Sequence, residues 1–282
     1  MYVTKKVRLN RLMRQGRCLD VAIDHGVCNE PSFMNGLEDM AGIVRMLAEA
    51  RPDAIQMNYG QSDLLQLLPG ENRPALVMRV DMGNPYNRTR HREMWALLQN
   101  EVDPILPALR MDAACVVVNL FMLPDEPALF RQCVANISRL GNDCEKYGMP
   151  LMIEPLVMQP NENGGYLVDG DTEKVVTLVR LAREMGADII KADPTADAGD
   201  FHQVVQAARC PVLVRGGGRA DLRGVFDTSA ALMAQGAHGM VYGRNIYQHA
   251  NPRAVVAALM AMIHDGADSA AAWGIYQQGS GA

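Results

Sequence analysis

The chain has 282 residues, 49% of them apolar and 21% charged, which is enough to bury a substantial core within one domain spanning 1–282. A formal net charge of −5 excludes the concentrated basic face that a nucleic-acid partner requires, so any bound anion is small and held locally. The first fifteen residues lack the continuous apolar stretch of a secretion signal, and the longest apolar run, Ala254 to Ile263, is shorter than the roughly 18 residues of a membrane span.

A short N-terminal segment, residues 1–16, mixes charged and apolar positions and leads into the first apolar run, CLDVAI (Cys18 to Ile23). Leu37, Met40, Val44 and Leu47 then repeat at helical spacing. The runs AIQMN (Ala54 to Asn58) and ALVMRVD (Ala75 to Asp81) follow, and the Gly-, Asn-, Pro- and Arg-rich stretch Met82 to Arg92 predicts a long loop. Next come ACVVVNL (Ala114 to Leu120) and PLMIE (Pro150 to Glu154). Val175, Leu178, Ala182 and Met185 mark a second amphipathic helix, with Asp171 or Thr172 as N-cap and Gly186 as its stop. ADIIKA (Ala187 to Ala192), PVLVR (Pro211 to Arg215) and HGMVY (His238 to Tyr242) complete eight runs, and residues 277–282 are expected to fray. Eight mostly continuous apolar runs, each followed by a candidate helix, predict a closed (β/α)8 TIM barrel of the α/β class, with an open doubly wound sheet as the rival.

In a parallel barrel the reactive groups gather at the carboxyl ends of the strands. Those ends are polar here: Asp24 and His25, Asn58, Arg79 and Asp81, Asn119, Glu154, Lys191 and Asp193, and Arg215. Lys191 stands apart because the other lysines, Lys5, Lys6, Lys146 and Lys174, fall in the basic N-terminal segment or in predicted helices. A partly desolvated lysine beside a cation such as Arg215 keeps more free amine to attack a carbonyl, whereas the structural alternative is an ion pair with Asp193 or Glu154. Asp24 and Glu154 are carboxylates that could move protons beside that amine, or could simply pair with Arg79 or Arg215. Arg79, Asp81, Asn119 and Arg215 are candidate substrate contacts, the first two alternatively anchoring the loop beyond them.

Two glycine-rich turns after the seventh and eighth runs, with Gly216, Gly217, Gly218 and Arg219 in one and Gly243 and Arg244 in the other, let backbone N–H groups approach an oxyanion, and the following helix N-termini add a favourable dipole. They predict a phosphate site with Arg219 or Arg244 closing over it. The six histidines form no H-x-H or H-x-x-x-H pair, so no metal or other cofactor is expected. The six cysteines include no C-x-x-C pair and read as reduced thiols of a cytoplasmic protein.

IDHG at Asp24, DIIKADPT at Lys191, RGGGR at Gly216 and GMVYGRNIYQ at Arg244, in that order, resemble the class I (Schiff-base) fructose-bisphosphate aldolases of archaeal and bacterial type, grouped with deoxyribose-phosphate aldolase and the lactose-pathway aldolases. The resemblance implies a barrel aldolase with Lys191 as the Schiff-base residue, Asp24 orienting hydroxyls and shuttling protons, and the glycine turns holding the phosphate of a sugar phosphate. It also implies a homo-oligomer, a pentameric or decameric ring. Many members of that group carry a catalytic tyrosine at the position of Leu156. The segment MPLMIEPLV instead looks like the fifth strand of animal-type class I aldolases, which makes Glu154 the candidate acid–base replacement. The same lysine would serve a transaldolase or thiolase acting on another phosphorylated ketone. A silent sugar-phosphate-binding barrel and a flavin barrel are the remaining alternatives.

Overall fold

The computed structural model describes residues 3–28, 30–70, 73–86, 93–217 and 220–281. The eight apolar runs become eight parallel strands: β1 (Cys18–Ala22), β2 (Ala54–Asn58), β3 (Ala75–Arg79), β4 (Cys115–Met122), β5 (Leu151–Pro160), β6 (Ile189–Ala192), β7 (Val212–Arg215) and β8 (Gly239–Tyr242). Each pairs with its neighbour in chain order, and β8 returns to β1 with Cys18 opposite Gly239 and Val21 opposite Tyr242. That last pairing removes both sheet edges, so the fold is a closed (β/α)8 barrel rather than an open sheet.

Side chains alternate across each strand. Leu19, Val21 and Ile23 therefore face the surrounding helices, while Cys18 and Ala22 join Val77, Val117, Met152, Leu213 and Val241 inside the barrel. Following the ladder registers around the barrel sorts the interior into layers of four from alternate strands. One layer, above Ala54, Cys115 and Ile189, holds Asp20, Val77, Met152 and Leu213. Gln56, Val117, Lys191 and Val241 lie above it, and Ala22, Arg79, Glu154 and Arg215 above those. The interior thus turns from apolar to charged towards the carboxyl ends.

The N-terminal segment forms a helix, Val3–Leu12, that closes the opposite end: Leu12 is buried in the interior cluster, with Leu9 and Met13 packed on it. Truncating Leu12 to alanine would cost about 2–5 kcal/mol, as for other buried leucines. The helix Thr172–Glu184 is capped by Asp171, whose carboxylate accepts from the Lys174 N–H at 3.0 Å, and ends just before Gly186. The earlier helix begins at Met40, capped by Asp39; Leu37 lies before it but is still buried.

Three segments depart from the sequence reading. β5 runs past Glu154 to Pro160, because its pairing with β6 ends at Ile153 and the freed edge pairs antiparallel with Tyr166–Val168. Asp81–Gly83 leaves the barrel and pairs antiparallel with Ala96–Leu98, so the expected loop starts as a ribbon; residues 87–92 lie outside the described residues. Residues 277–280, expected to fray, complete the helix Ser269–Ser280, where the Asn251 side chain donates to the Gly279 carbonyl at 2.8 Å. None of the six cysteines is in a disulfide. Among the described residues no helix is long and apolar enough to cross a membrane.

Candidate active site

At the carboxyl end of the barrel lies a narrow cleft with a cavity volume of about 50 Å³, partly open to solvent. Lys191 projects into it from β6 and is only 4% exposed. Its Nζ lies 3.0 Å from Glu154 Oε2 and 3.4 Å from Gln56 Oε1. The same Glu154 oxygen accepts from an Arg79 terminal nitrogen at 2.5 Å, and Glu154 Oε1 lies 3.0 Å from Arg215 Nε. Three cations thus converge on one carboxylate. Burial opposes the ionisation of Glu154, but Lys191, Arg79 and Arg215 outweigh it and hold the carboxyl far below the ordinary range.

Arg79 links the strands of the mouth, donating from Nε to Asp24 Oδ2 at 2.8 Å and from Nη1 to Asp81 Oδ1 at 3.2 Å. Asp24 Oδ2 also accepts from Gln56 Nε2 at 2.6 Å, whereas its Oδ1 takes no hydrogen bond among the described residues. Burial opposes ionisation here as well, and Arg79, then Lys191 and His25, bring the Asp24 carboxyl below its usual value. Arg215 is further held by an ion pair with Asp193. His25 is pushed down to about 4 by burial, so its imidazole is neutral at physiological pH, packed edge-on against Phe33 and Tyr247.

The glycine corners border the same cleft through Gly216, Gly217, Gly243 and Arg244. A Cβ at Gly243 would lie 2.5 Å from the Ala22 carbonyl and 2.7 Å from the His25 ring, and one at Gly216 would lie 2.7 Å from the Tyr242 ring, so close backbone packing requires glycine at both. At Gly217 the space is open. The Arg244 guanidinium lies 4.1 Å from the centre of the Phe33 ring and donates to the Gly217 carbonyl at 3.3 Å, which ties the two corners together. The dipole contribution is smaller than the sequence suggests. Asp221 already caps the helix Leu222–Ala234 through the Gly224 N–H, and Arg244–Tyr247 is a single turn. Gly218 and Arg219 lie outside the described residues.

A DeoC/LacD family aldolase profile matches residues 18–249. The chain belongs to this family. An uncharacterized aldolase of Saccharolobus solfataricus is 30% identical over 94% of this chain and 96% of its own length. A 2-amino-3,7-dideoxy-D-threo-hept-6-ulosonate synthase of Halobacterium salinarum is 27% identical over 95% and 94%. Among solved structures, an archaeal fructose 1,6-bisphosphate aldolase superposes with a TM-score of 0.76 at 21% identity, covering 93% of this chain and all of the other. A fructose-bisphosphate aldolase of Slackia heliotrinireducens gives 0.80 at 13% identity, covering 99% and 92%.

Within this DeoC/LacD aldolase, Asp24, Arg79, Asn119, Glu154, Lys191, Arg215, Gly216, Gly217, Gly243 and Arg244 all border one cleft. Asp81, expected as a substrate contact, does not: it is fully buried, with Oδ1 engaged by Arg79 and Oδ2 by the Asn119 backbone and side-chain N–H groups at 2.9 and 3.0 Å. It anchors the loop side of β3. Each oxygen of Glu154, the expected acid–base group, lies against a cation: Oε2 against Lys191 and Arg79, Oε1 against Arg215.

Sequence reasoning missed two further polar groups at the mouth. Gln56 bridges Asp24 and Lys191, and its signal was available as an amide on the inward face of an otherwise apolar run, two residues before Asn58. Tyr86 lines the cleft and donates to Asn119 Oδ1 at 2.9 Å, with the Arg215 guanidinium 5.8 Å from its ring centre. It sits in the segment after the ribbon, where no periodicity marks it. Burial pushes its phenol well above the ordinary value, so the hydroxyl keeps its proton and can donate it in a hydrogen bond. Among the described residues no group of three or more His, Cys, Asp or Glu side chains could hold a metal ion.

Proposed function

We propose that this DeoC/LacD aldolase acts through a Schiff base on Lys191, reversibly cleaving a ketose phosphate such as fructose 1,6-bisphosphate or a close relative to dihydroxyacetone phosphate and an aldehyde. One observation carries the reading: the Lys191 amine and the Gly217, Gly243 and Arg244 corner border the same cleft, so a single phosphorylated ketone spans both. Solved structures of this fold support it, among them a Schiff-base-forming fructose-1,6-bisphosphate aldolase and an archaeal one whose catalytic lysine is covalently bound to the carbinolamine intermediate.

Lys191 Nζ adds to the ketone carbon, and loss of water gives an iminium that accepts the electron pair of the C3–C4 bond as that bond breaks. Asp24 is the proton acceptor for the C4 hydroxyl, since Oδ1 faces no competing donor. Glu154, fixed by Arg79 and Arg215, orients the amine and balances the iminium charge. Protonation of the enamine and hydrolysis release dihydroxyacetone phosphate and restore the amine. Phosphate binding at the glycine corner holds the carbonyl against the nitrogen, which lowers the entropic cost of attack. A homo-oligomeric ring belongs to the same proposal and is checked by light scattering.

Mixing the protein with dihydroxyacetone phosphate, reducing with borohydride and mapping the adduct by mass spectrometry tests the reading. Modification at Lys191 is expected, and an unmodified Lys191 under turnover conditions refutes it. The relationship to the heptulosonate synthase favours a second reading, transaldol transfer to another acceptor. Product analysis with mixed donors separates the two.

A further inference from the structure

Asp20 has no place in the mechanism above. It sits in an interior layer with Val77, Met152 and Leu213, directly below the layer that holds Lys191. It is 0% exposed, and neither carboxylate oxygen has a hydrogen-bond partner among the described residues. An ionised carboxylate so placed is costly, and an apolar residue would fill the layer better. Five buried carboxyls (Asp20, Asp24, Asp81, Glu154 and Asp193) share the barrel with three cations (Arg79, Lys191 and Arg215). The others are each engaged by arginine or lysine, so the surplus negative charge is most easily relieved by a proton on Asp20.

We propose that Asp20 is a positioning residue for the lysine chemistry, a carboxyl stored beneath Lys191 whose state of charge sets how readily that nitrogen gives up its positive charge. The groups that act on it are Lys191 on β6, Asp24 two residues beyond its own strand, Arg79 on β3 and Glu154 on β5; the Cys18 and Cys115 thiols also face it, both kept protonated by burial. Burial is the main reason that its carboxyl is pushed up to about 8, with Asp24 and Glu154 adding to the rise and Lys191 and Arg79 opposing it. Once ionised, Asp20 is a second anion close to Lys191 and stabilises the ammonium. The native state keeps a proton that the unfolded chain releases near 3.8. Its effect on stability is therefore small at acid pH and becomes unfavourable as pH rises towards 8.

The inference rests on the Schiff-base reading, and the rate of borohydride trapping with dihydroxyacetone phosphate between pH 6 and 10 tests both. Asp20→Asn and Asp20→Leu are expected to fold, to melt higher than wild type by a margin that grows from pH 5 to pH 8, and to shift the pH midpoint of trapping down by about one unit, because an anionic neighbour of the amine is gone. A purely structural Asp20 would leave that midpoint unmoved. Midpoints that coincide with wild type in folded variants overturn the inference and leave the Lys191 reading standing. No adduct in wild type at any pH overturns both. If neither variant folds, infrared titration of the unmodified protein decides: a buried carboxylic-acid band that disappears over the pH range of trapping supports the inference, and the absence of such a band overturns it.

Discussion

Lys5 and Lys191 are both buried, at 2% and 4% exposed, and both pair with carboxylates, yet the surroundings give them different capacities. Lys5 reaches from the N-terminal helix to Glu145 and to Asp188 at 3.0 Å, just before β6 begins, and so ties the plug to the closed end of the barrel. Lys191, three residues beyond Asp188, lines the cleft at the open end and shares its carboxylate with two arginines. Burying a lysine does not by itself make it a nucleophile. What matters is whether a carbonyl can reach the nitrogen and whether the carboxylate beside it is held by other cations when the nitrogen becomes covalently occupied.

The sharpest test exchanges the two lysines' fates. Lys191→Met is expected to abolish borohydride trapping and lower kcat by roughly 10⁴-fold or more while the thermal melt is kept, as loss of a covalent nucleophile should. A variant with residual trapping at another lysine would break the comparison. Glu154→Gln is expected to lower kcat by about 10²-fold and to destabilise the fold by about 3 kcal/mol, because Arg79 and Arg215 lose their shared anion. Asp24→Asn should match that loss of rate but cost less stability. If Glu154→Gln retains full activity, the lysine is not positioned by its carboxylate.

Arg244→Ala is expected to raise KM for a phosphorylated ketone by about 10–100-fold with kcat nearly unchanged, the range for one charge-assisted contact; equal losses on an unphosphorylated ketone would move the phosphate site elsewhere. Lys5→Met is expected to leave kcat and trapping alone and to cost about 2 kcal/mol, read as a lower melting temperature, with Glu145 half exposed and so only partly stranded. Burial works against the Lys5 charge, but Glu145 and Asp188 raise its pKa above the ordinary 10.5. That contribution is therefore fully present below 10.5 and is lost only as pH climbs through the higher folded value, so the gap between Lys5→Met and wild type should stay constant from pH 6 to 9. The smallest expected effect is none: EDTA should not change activity, and strong inhibition by the chelator would bring a metal into the mechanism.

The strand rhythm was legible because burial on both faces writes itself as short, continuous apolar runs, and the carboxyl-end residues followed from counting to the end of each run. Leu37, Asp81 and the end of β5 were misjudged at element boundaries, where a cap, a ribbon or a freed sheet edge takes over from periodicity. Lys5 was read only as part of a basic N-terminal segment, because nothing local says that its partners are Glu145 and Asp188. Glu154 was read as an acid–base group from the residues beside it. Its saturation by Arg79, Lys191 and Arg215 involves three other strands.

By itself the sequence determined eight strands and a polar mouth with a single strand-end lysine, because apolar runs and their punctuation are local properties of the chain. Only the tertiary structure decided which carboxylate holds that lysine, that Gln56 and Tyr86 join it, and that Asp20 lies unpaired beneath it. Those relations depend on barrel closure and on the stagger between strands, which bring together side chains that lie far apart in the chain.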